Sequence, residues 1–207
     1  VKGEICIKGE NVMAGYWKNP KATADTIVDG WLHTGDMGYM RDEEMLYVVG
    51  RFKSLLIAAD GEKYSPEGIE ENLVESSKYI DGAILHNNQD PYTIALVTPT
   101  KEALKAYAKE LGLDPKSDEA KEKMLEKLQD EVNMYRNGGR LSGAFPERWL
   151  PAAVCVLPEP FTEQNHMMNS SMKVVRRVAE QVYADHMAFA YTPEGKNIVN
   201  EKNLASL

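Results

Sequence analysis

The side chains best suited to chemistry in this sequence fall between Trp31 and Glu70, in WLHTGDMGYMRDEEMLYVVGRFKSLLIAADGEKYSPEGIE. The first polar signature there is Thr34-Gly35-Asp36, a carboxylate beside a glycine, where backbone can turn tightly and approach a ligand closely. The second is Gly50-Arg51-Phe52-Lys53-Ser54, which follows Leu46 to Val49, a run that reads as a buried strand. A carboxylate and a guanidinium at adjoining strand ends can divide two neighbouring hydroxyls between an acceptor and a fork of donors. A ribose presents such a pair. The residue types alone also allow Asp36 to cap a turn and Arg51 to pair with a surface carboxylate such as Asp42 or Glu43.

Short strands and turns must position these groups. GEICIKG alternates as a strand with Ile5 and Ile7 on one face. NVMAGYWKNPKATADTI passes a glycine and an Asn-Pro break into a short helical segment ending at Asp29 and Gly30. WLHTGD opens the next turn, and Met45 to Val49 form a strand after the charged corner 41–44. From residue 53 the pattern changes. SLLIAAD is a strand, and a helix starts with Ser65 as N-cap and Pro66 at its first position. GAILHN and YTIALVTP are strands joined by the turn NNQDP. Leu104, Tyr107, Ala108 and Leu111, then Met124, Leu128 and Val132, mark two amphipathic helices broken by GLDP. RWLPAAVCVLP adds a strand, and Met172 to His186 reads as one last helix with Val174, Val175, Val178 and Val182 inward. The fold class is α+β: a small, mostly β unit over residues 1–52 and a compact α+β domain over 53–207.

Composition narrows the function. The 207 residues are 43% hydrophobic, as in ordinary globular proteins. A formal net charge of −8 argues against nonspecific binding to nucleic acid or to an acidic membrane, since both need a basic field. Cys6 and Cys155 lie far apart without CxxC spacing, and His33, His86, His166 and His186 match no zinc pattern, so no metal site is expected. His33 packs beside the Thr-Gly-Asp turn, and His186 lies near a helix end, where positive charge is favoured. No apolar run approaches the ~18 residues of a membrane span, and no charged-then-apolar leader is read, so neither a spanning helix nor a secretory signal is expected. A reducing, cytoplasmic setting is expected. The chain starts at Val1 in sequence that already reads as structured, so it is expected to be a piece of a longer protein.

Taken in order, WLHTGDMG, GRFKS, DGEKYSPEGIEE and NSSMK are similar to the carboxyl-terminal third of AMP-forming acyl-CoA synthetases, particularly long-chain fatty acid–CoA ligases. The resemblance covers nearly the whole chain. It implies that residues 1–52 end a large AMP-binding domain and that 53–207 form a mobile lid. It implies that Asp36 and Arg51 hold ribose hydroxyls, and that Lys53, two residues past that arginine, is the hinge about which the lid rotates between two half-reactions. Gly61 then lines the pantetheine path, and Lys173 reaches the substrate carboxylate and the α-phosphate during adenylation. Each has a plainer reading: Lys53 an exposed lysine after a strand, Gly61 a turn glycine with positive φ, Lys173 a helix-start lysine with a solvated head. Two departures stand out. Many members carry aspartate at the hinge, and the commoner form of the last motif has glycine where Met172 stands.

The resemblance further implies ATP, Mg2+ and CoA as cofactors of the full-length enzyme, with none expected bound to this piece alone, which should be nearly inactive. Its partners would be the fatty acid, ATP, CoA and a preceding N-terminal domain of the same polypeptide, which would hold the phosphate-cradling loop this sequence lacks. No general base is required, because a carboxylate is ionised at pH 7. Peripheral membrane association of the full-length enzyme is left open. The alternatives are an acyl-AMP ligase that loads a carrier protein, and a binding module that kept the fold and lost the chemistry.

Overall fold

The computed structural model describes residues 2–42 and 44–207. Glu43 therefore lies outside the described residues. The chain forms two compact units, Val1–Leu55 and Leu56–Leu207.

The first unit is an antiparallel sheet built on one long strand. Its elements are β1 (Gly3–Ile7), α1 (Pro20–Thr26), β2 (Ile27–Val28), β3 (Trp31–Arg41) and β4 (Met45–Arg51). Strand β3 pairs with all three others. Helix α1 starts where expected for its residue types: Asn19 accepts the Ala22 N–H, and Pro20 occupies the first turn. One correction concerns Thr34-Gly35-Asp36. Instead of opening a turn between elements, it is a bulge inside β3, because the register with β1 runs Glu4↔Met37 and then Cys6↔His33. Gly35 supplies the positive φ, 74°, that this local detour needs. No hydrophobic side chain of residues 2–55 belongs to the buried core, and Trp17 is 89% exposed.

The second unit contains β5 (Leu56–Ile57), β6 (Lys63–Tyr64), α2 (Glu67–Ser76), β7 (Ile80–His86), β8 (Ile94–Pro99), α3 (Lys101–Glu110), α4 (Asp118–Val132), β9 (Ala153–Val156), α5 (Arg176–Val182), α6 (Ala184–Ala190), α7 (Pro193–Lys196) and α8 (Glu201–Ser206). Strands β5 and β6 form a small antiparallel pair. The main sheet has the order β7-β8-β9, antiparallel across the first pair and parallel across the second. Side chains alternate across it. Leu85, Val97, Val154 and Val156 pack with residues of α2, α3 and α4, whereas Ile84, Leu96, Ala153 and Cys155 pack with residues of α5 and α6.

Local starts and stops differ from expectation in three places. The strand read over SLLIAAD shrinks to Leu56–Ile57, because Phe52–Ser54 forms a 3-10 turn. Helix α2 begins at Glu67; Pro66 already has helical dihedrals, and no side chain caps it. The last helix begins only at Arg176 and breaks at Tyr183, whose φ and ψ are −104° and 22°. Val182, the last residue of α5, is 58% exposed instead of inward. Among the described residues, no helix is long and apolar enough to cross a membrane.

Candidate active site

Pairing of β3 with β4 sets Asp36 directly opposite Arg51. Their side chains meet, with Arg51 Nε 2.9 Å from Asp36 Oδ1, and both stay partly exposed. Arg51 Nη2 also donates to the Thr34 carbonyl at 3.1 Å. Thus Arg51 takes Asp36 as its partner, and Asp42 lies instead 3.8 Å from Arg41 Nε. An exposed ion pair contributes only about 0–1 kcal/mol. A ligand that offers two hydroxyls can therefore displace this one at small cost, accepting from the guanidinium and donating to the carboxylate.

The bulge that carries Asp36 is tied down from β1. Thr34 Oγ1 donates to the Ile5 carbonyl at 2.7 Å and accepts the Asp36 N–H at 3.0 Å. Glu4 Oε1 accepts the Gly35 N–H at 3.0 Å, while its other oxygen meets His33 Nδ1 at 2.8 Å. The bond with His33 is the first cause holding the Glu4 carboxyl below its usual range. Glu4 was not singled out from the sequence, because nothing near it in the chain marks it; its partners lie about thirty residues on.

Three further site residues are expected from the sequence: Lys53, Gly61 and Lys173. Lys53 lies in the 3-10 turn Phe52–Ser54 and is exposed. Gly61 turns the chain from β5 to β6 with φ 84°, and its N–H donates to the Ala58 carbonyl at 2.9 Å. A Cβ there would meet nothing within 4 Å, so backbone conformation alone demands the glycine. The next residue, Glu62, anchors this turn. Its carboxylate accepts from Arg148 Nε at 2.5 Å and Nη2 at 2.7 Å, and from Trp149 Nε1 at 3.1 Å. That fork of donors holds the Glu62 carboxyl down at about 2.

Lys173 is not at a helix start. It closes a tight loop, in which Asn169 Oδ1 accepts the N–H groups of Ser171 and Lys173 and the Ser171 hydroxyl, and Asn169 N–H returns to the Lys173 carbonyl. Met172, at the position where the commoner motif has glycine, adopts φ 59° and is 72% exposed. An isolated Met168↔Val174 bridge closes the loop. Lys173 is exposed and makes no ion pair among the described residues. Gly61 and Lys173 occupy separate loops of the second unit, with no hydrogen bond between them. His186 sits inside α6, and burial, then Lys202, lower its pKa; the expected preference for positive charge at that position is reversed.

Residues 53–138 match the AMP-binding enzyme C-terminal domain. They belong to that family. Over a wider span, the chain is 34% identical to mouse long-chain-fatty-acid–CoA ligase 5, across 84% of this chain and 26% of the ligase. Human long-chain-fatty-acid–CoA ligase 1 is 33% identical, across 84% of this chain and 25% of its own length. The chain thus spans about a quarter of the curated relatives it matches. Among solved structures, the adenylation domain of a carboxylate reductase from Mycobacterium chelonae superposes with a TM-score of 0.76 at 26% identity, over 92% of this chain and 28% of that one. The o-succinylbenzoate CoA synthetase of Bacillus subtilis, solved with AMP, gives 0.56 at 26% identity, over 86% of this chain and 30% of that one.

Proposed function

We propose that this chain is the C-terminal part of an ATP-dependent long-chain fatty acid–CoA ligase. The fatty acid carboxylate attacks the α-phosphorus of ATP, pyrophosphate leaves, and acyl-AMP forms; the thiol of CoA then attacks the acyl carbonyl and AMP departs. Asp36 and Arg51 hold the two ribose hydroxyls throughout. Lys173 places its ammonium where carboxylate and phosphate must approach, offsetting their repulsion and stabilising the charge of the transition state. Lys53 is the hinge between the half-reactions, and the side-chain-free turn at Gly61 gives the thin pantetheine arm room to pass. Residues 1–52 are the end of the AMP-binding domain and 53–207 the mobile lid, a division supported by the exposed 3-10 turn Phe52–Ser54 and the strand that ends before it.

The observation that carries this reading is the Asp36–Arg51 pair, set opposite each other by strand register at 2.9 Å and held open to solvent. A preceding domain of the same polypeptide is supported by the exposed apolar side chains of the first unit, including Trp17, Met40 and Val48. Mg2+ accompanies ATP. Its ligands come from that preceding domain or from the nucleotide, because the grouping of ligand atoms found among the described residues includes a thiol and an imidazole rather than the all-oxygen set Mg2+ takes.

The test is nucleotide affinity in the longer polypeptide. Arg51→Ala and Asp36→Ala each remove a charge-assisted hydrogen bond to ribose, which is worth about 1.5–3 kcal/mol. Nucleotide binding should weaken by about tenfold to a hundredfold, while folding stability changes by less than about 1 kcal/mol. Unchanged affinity in both variants would remove the ribose assignment.

A further inference from the structure

The bulge in β3 brings together three side chains that the proposed reaction does not use as a set. Cys6 and His33 are directly opposite in the β1–β3 register, so they share one face of the sheet, and Glu4 precedes Cys6 by two residues and shares that face as well. Cys6 Sγ lies 3.6 Å from His33 Nδ1, and Glu4 Oε2 lies 2.8 Å from that same nitrogen. The three ligand atoms all fall within 4.8 Å of one another. Glu4 and His33 keep 29% and 38% of their side chains exposed, so an ion can reach the group from solvent.

Two simpler uses of these residues fit poorly. A nucleophilic cysteine relay needs thiol and carboxylate on different ring nitrogens, one to accept the thiol proton and one to be held by the acid. Here both approach Nδ1. A plain hydrogen-bonded cluster accounts for Glu4 and His33 but leaves Cys6 out: one nitrogen cannot donate to Glu4 and accept from Cys6 at once, so the thiol gains little from its place. A single cation satisfies all three, since convergence on one point is what coordination needs.

We infer that Glu4, Cys6 and His33 form a binding site for a borderline divalent transition-metal ion of the zinc type, with water completing the coordination. The donor set is sulfur, nitrogen and oxygen, which selects against Mg2+ and Ca2+ and favours Zn2+ and Co2+. Tetrahedral zinc with Zn–S near 2.3 Å and Zn–N near 2.05 Å separates sulfur from nitrogen by roughly 3.6 Å. The Cys6–His33 distance already has that value. Nitrogen and oxygen ligands of one zinc stand roughly 3.4 Å apart, so Glu4 Oε2 must withdraw from Nδ1 by about 0.6 Å. Its other oxygen remains on the Gly35 N–H, which links the ion through one carboxylate to the bulge carrying Asp36. On binding, the Cys6 thiol proton and any proton on His33 Nδ1 pass to solvent.

The inference is independent of the proposed ligase activity and is tested on the untagged longer polypeptide, in which the first unit keeps its preceding domain. Titration with Co2+ should give one bound ion per chain, with a near-ultraviolet sulfur-to-cobalt charge-transfer band and the visible bands of a tetrahedral ion, both bleached by Zn2+. Cys6→Ser should abolish the charge-transfer band, whereas Cys155→Ser should keep it, since Cys155 is 3% exposed. His33→Ala and Glu4→Gln should each weaken Co2+ binding at least tenfold, with circular dichroism confirming the fold. Absence of the band in the wild-type chain, or its survival in Cys6→Ser, would overturn the site. If Glu4→Gln unfolds, the Cys6→Ser and His33→Ala arms still decide.

Discussion

Glu70→Ala is expected to destabilise the chain by roughly 3–4 kcal/mol. Strand β7 is an edge of its sheet, and its backbone at Leu85 has no neighbouring strand on the outer side. An ion pair takes that place. Glu70 Oε1 accepts the Leu85 N–H at 2.6 Å, Arg176 Nη1 donates to the Leu85 carbonyl at 2.5 Å, and Arg176 Nη2 reaches both Glu70 oxygens at 2.7 and 2.9 Å. Burial pushes the Glu70 carboxyl pKa up, and Arg176 opposes that shift. Truncating one member of a buried pair costs about 3–5 kcal/mol, because the other charge stays behind uncompensated. The lower end applies here, since Arg176 keeps 23% of its side chain exposed. Loss of the acceptor for Leu85 N–H adds about 1 kcal/mol. Urea denaturation at constant m-value measures the loss, and a cycle with Arg176→Met and the double variant isolates the coupling, expected at about 2 kcal/mol or more. A loss below about 1 kcal/mol, or strict additivity, would show that the pair behaves as a surface contact and refute the edge-capping argument.

Two further outcomes follow from the titrating groups. Glu62 is held near 2 in the folded chain against an ordinary 4.5, so its stabilisation is present above pH 4.5 and is lost as pH falls toward 2. The melting temperature should therefore drop more steeply over that window in the wild type than in Glu62→Gln, and parallel curves would contradict the Arg148 fork. A thiol reagent at neutral pH should modify Cys6 in the native chain and spare Cys155, whose thiol is buried and pushed up to about 12; peptide mass spectrometry reads the order, and early labelling of Cys155 would contradict its packing.

Legibility in the sequence divides by the range of the controlling contact. The α+β class, the alternating strands of β7 to β9 and the amphipathic helices α3 and α4 follow from local period, and each is present. Thr34-Gly35-Asp36 looks like a turn because its residue types favour one, yet pairing with β1 and β4 keeps β3 continuous and turns the glycine into a bulge. Val174, Val175, Val178 and Val182 fit a helical stripe, but the Asn169 side chain captures the chain up to Lys173 first, so the helix starts late and Val182 faces solvent. Asparagine's tendency to hydrogen-bond the backbone just ahead of it was the available signal. Glu4 with Gly35, Glu62 with Arg148, and Glu70 with Arg176 could not be read at all, because each joins residues far apart in the chain and depends on the finished fold.

The most direct test of the account separates the two half-reactions of the longer enzyme carrying Lys173→Ala. Loss of a positioned cation at the transition state should lower acyl-AMP formation, read as pyrophosphate release, by about 10²–10³-fold. Thioester formation from supplied acyl-AMP should stay close to the wild-type rate, and an equal loss in both half-reactions would contradict the role given to Lys173.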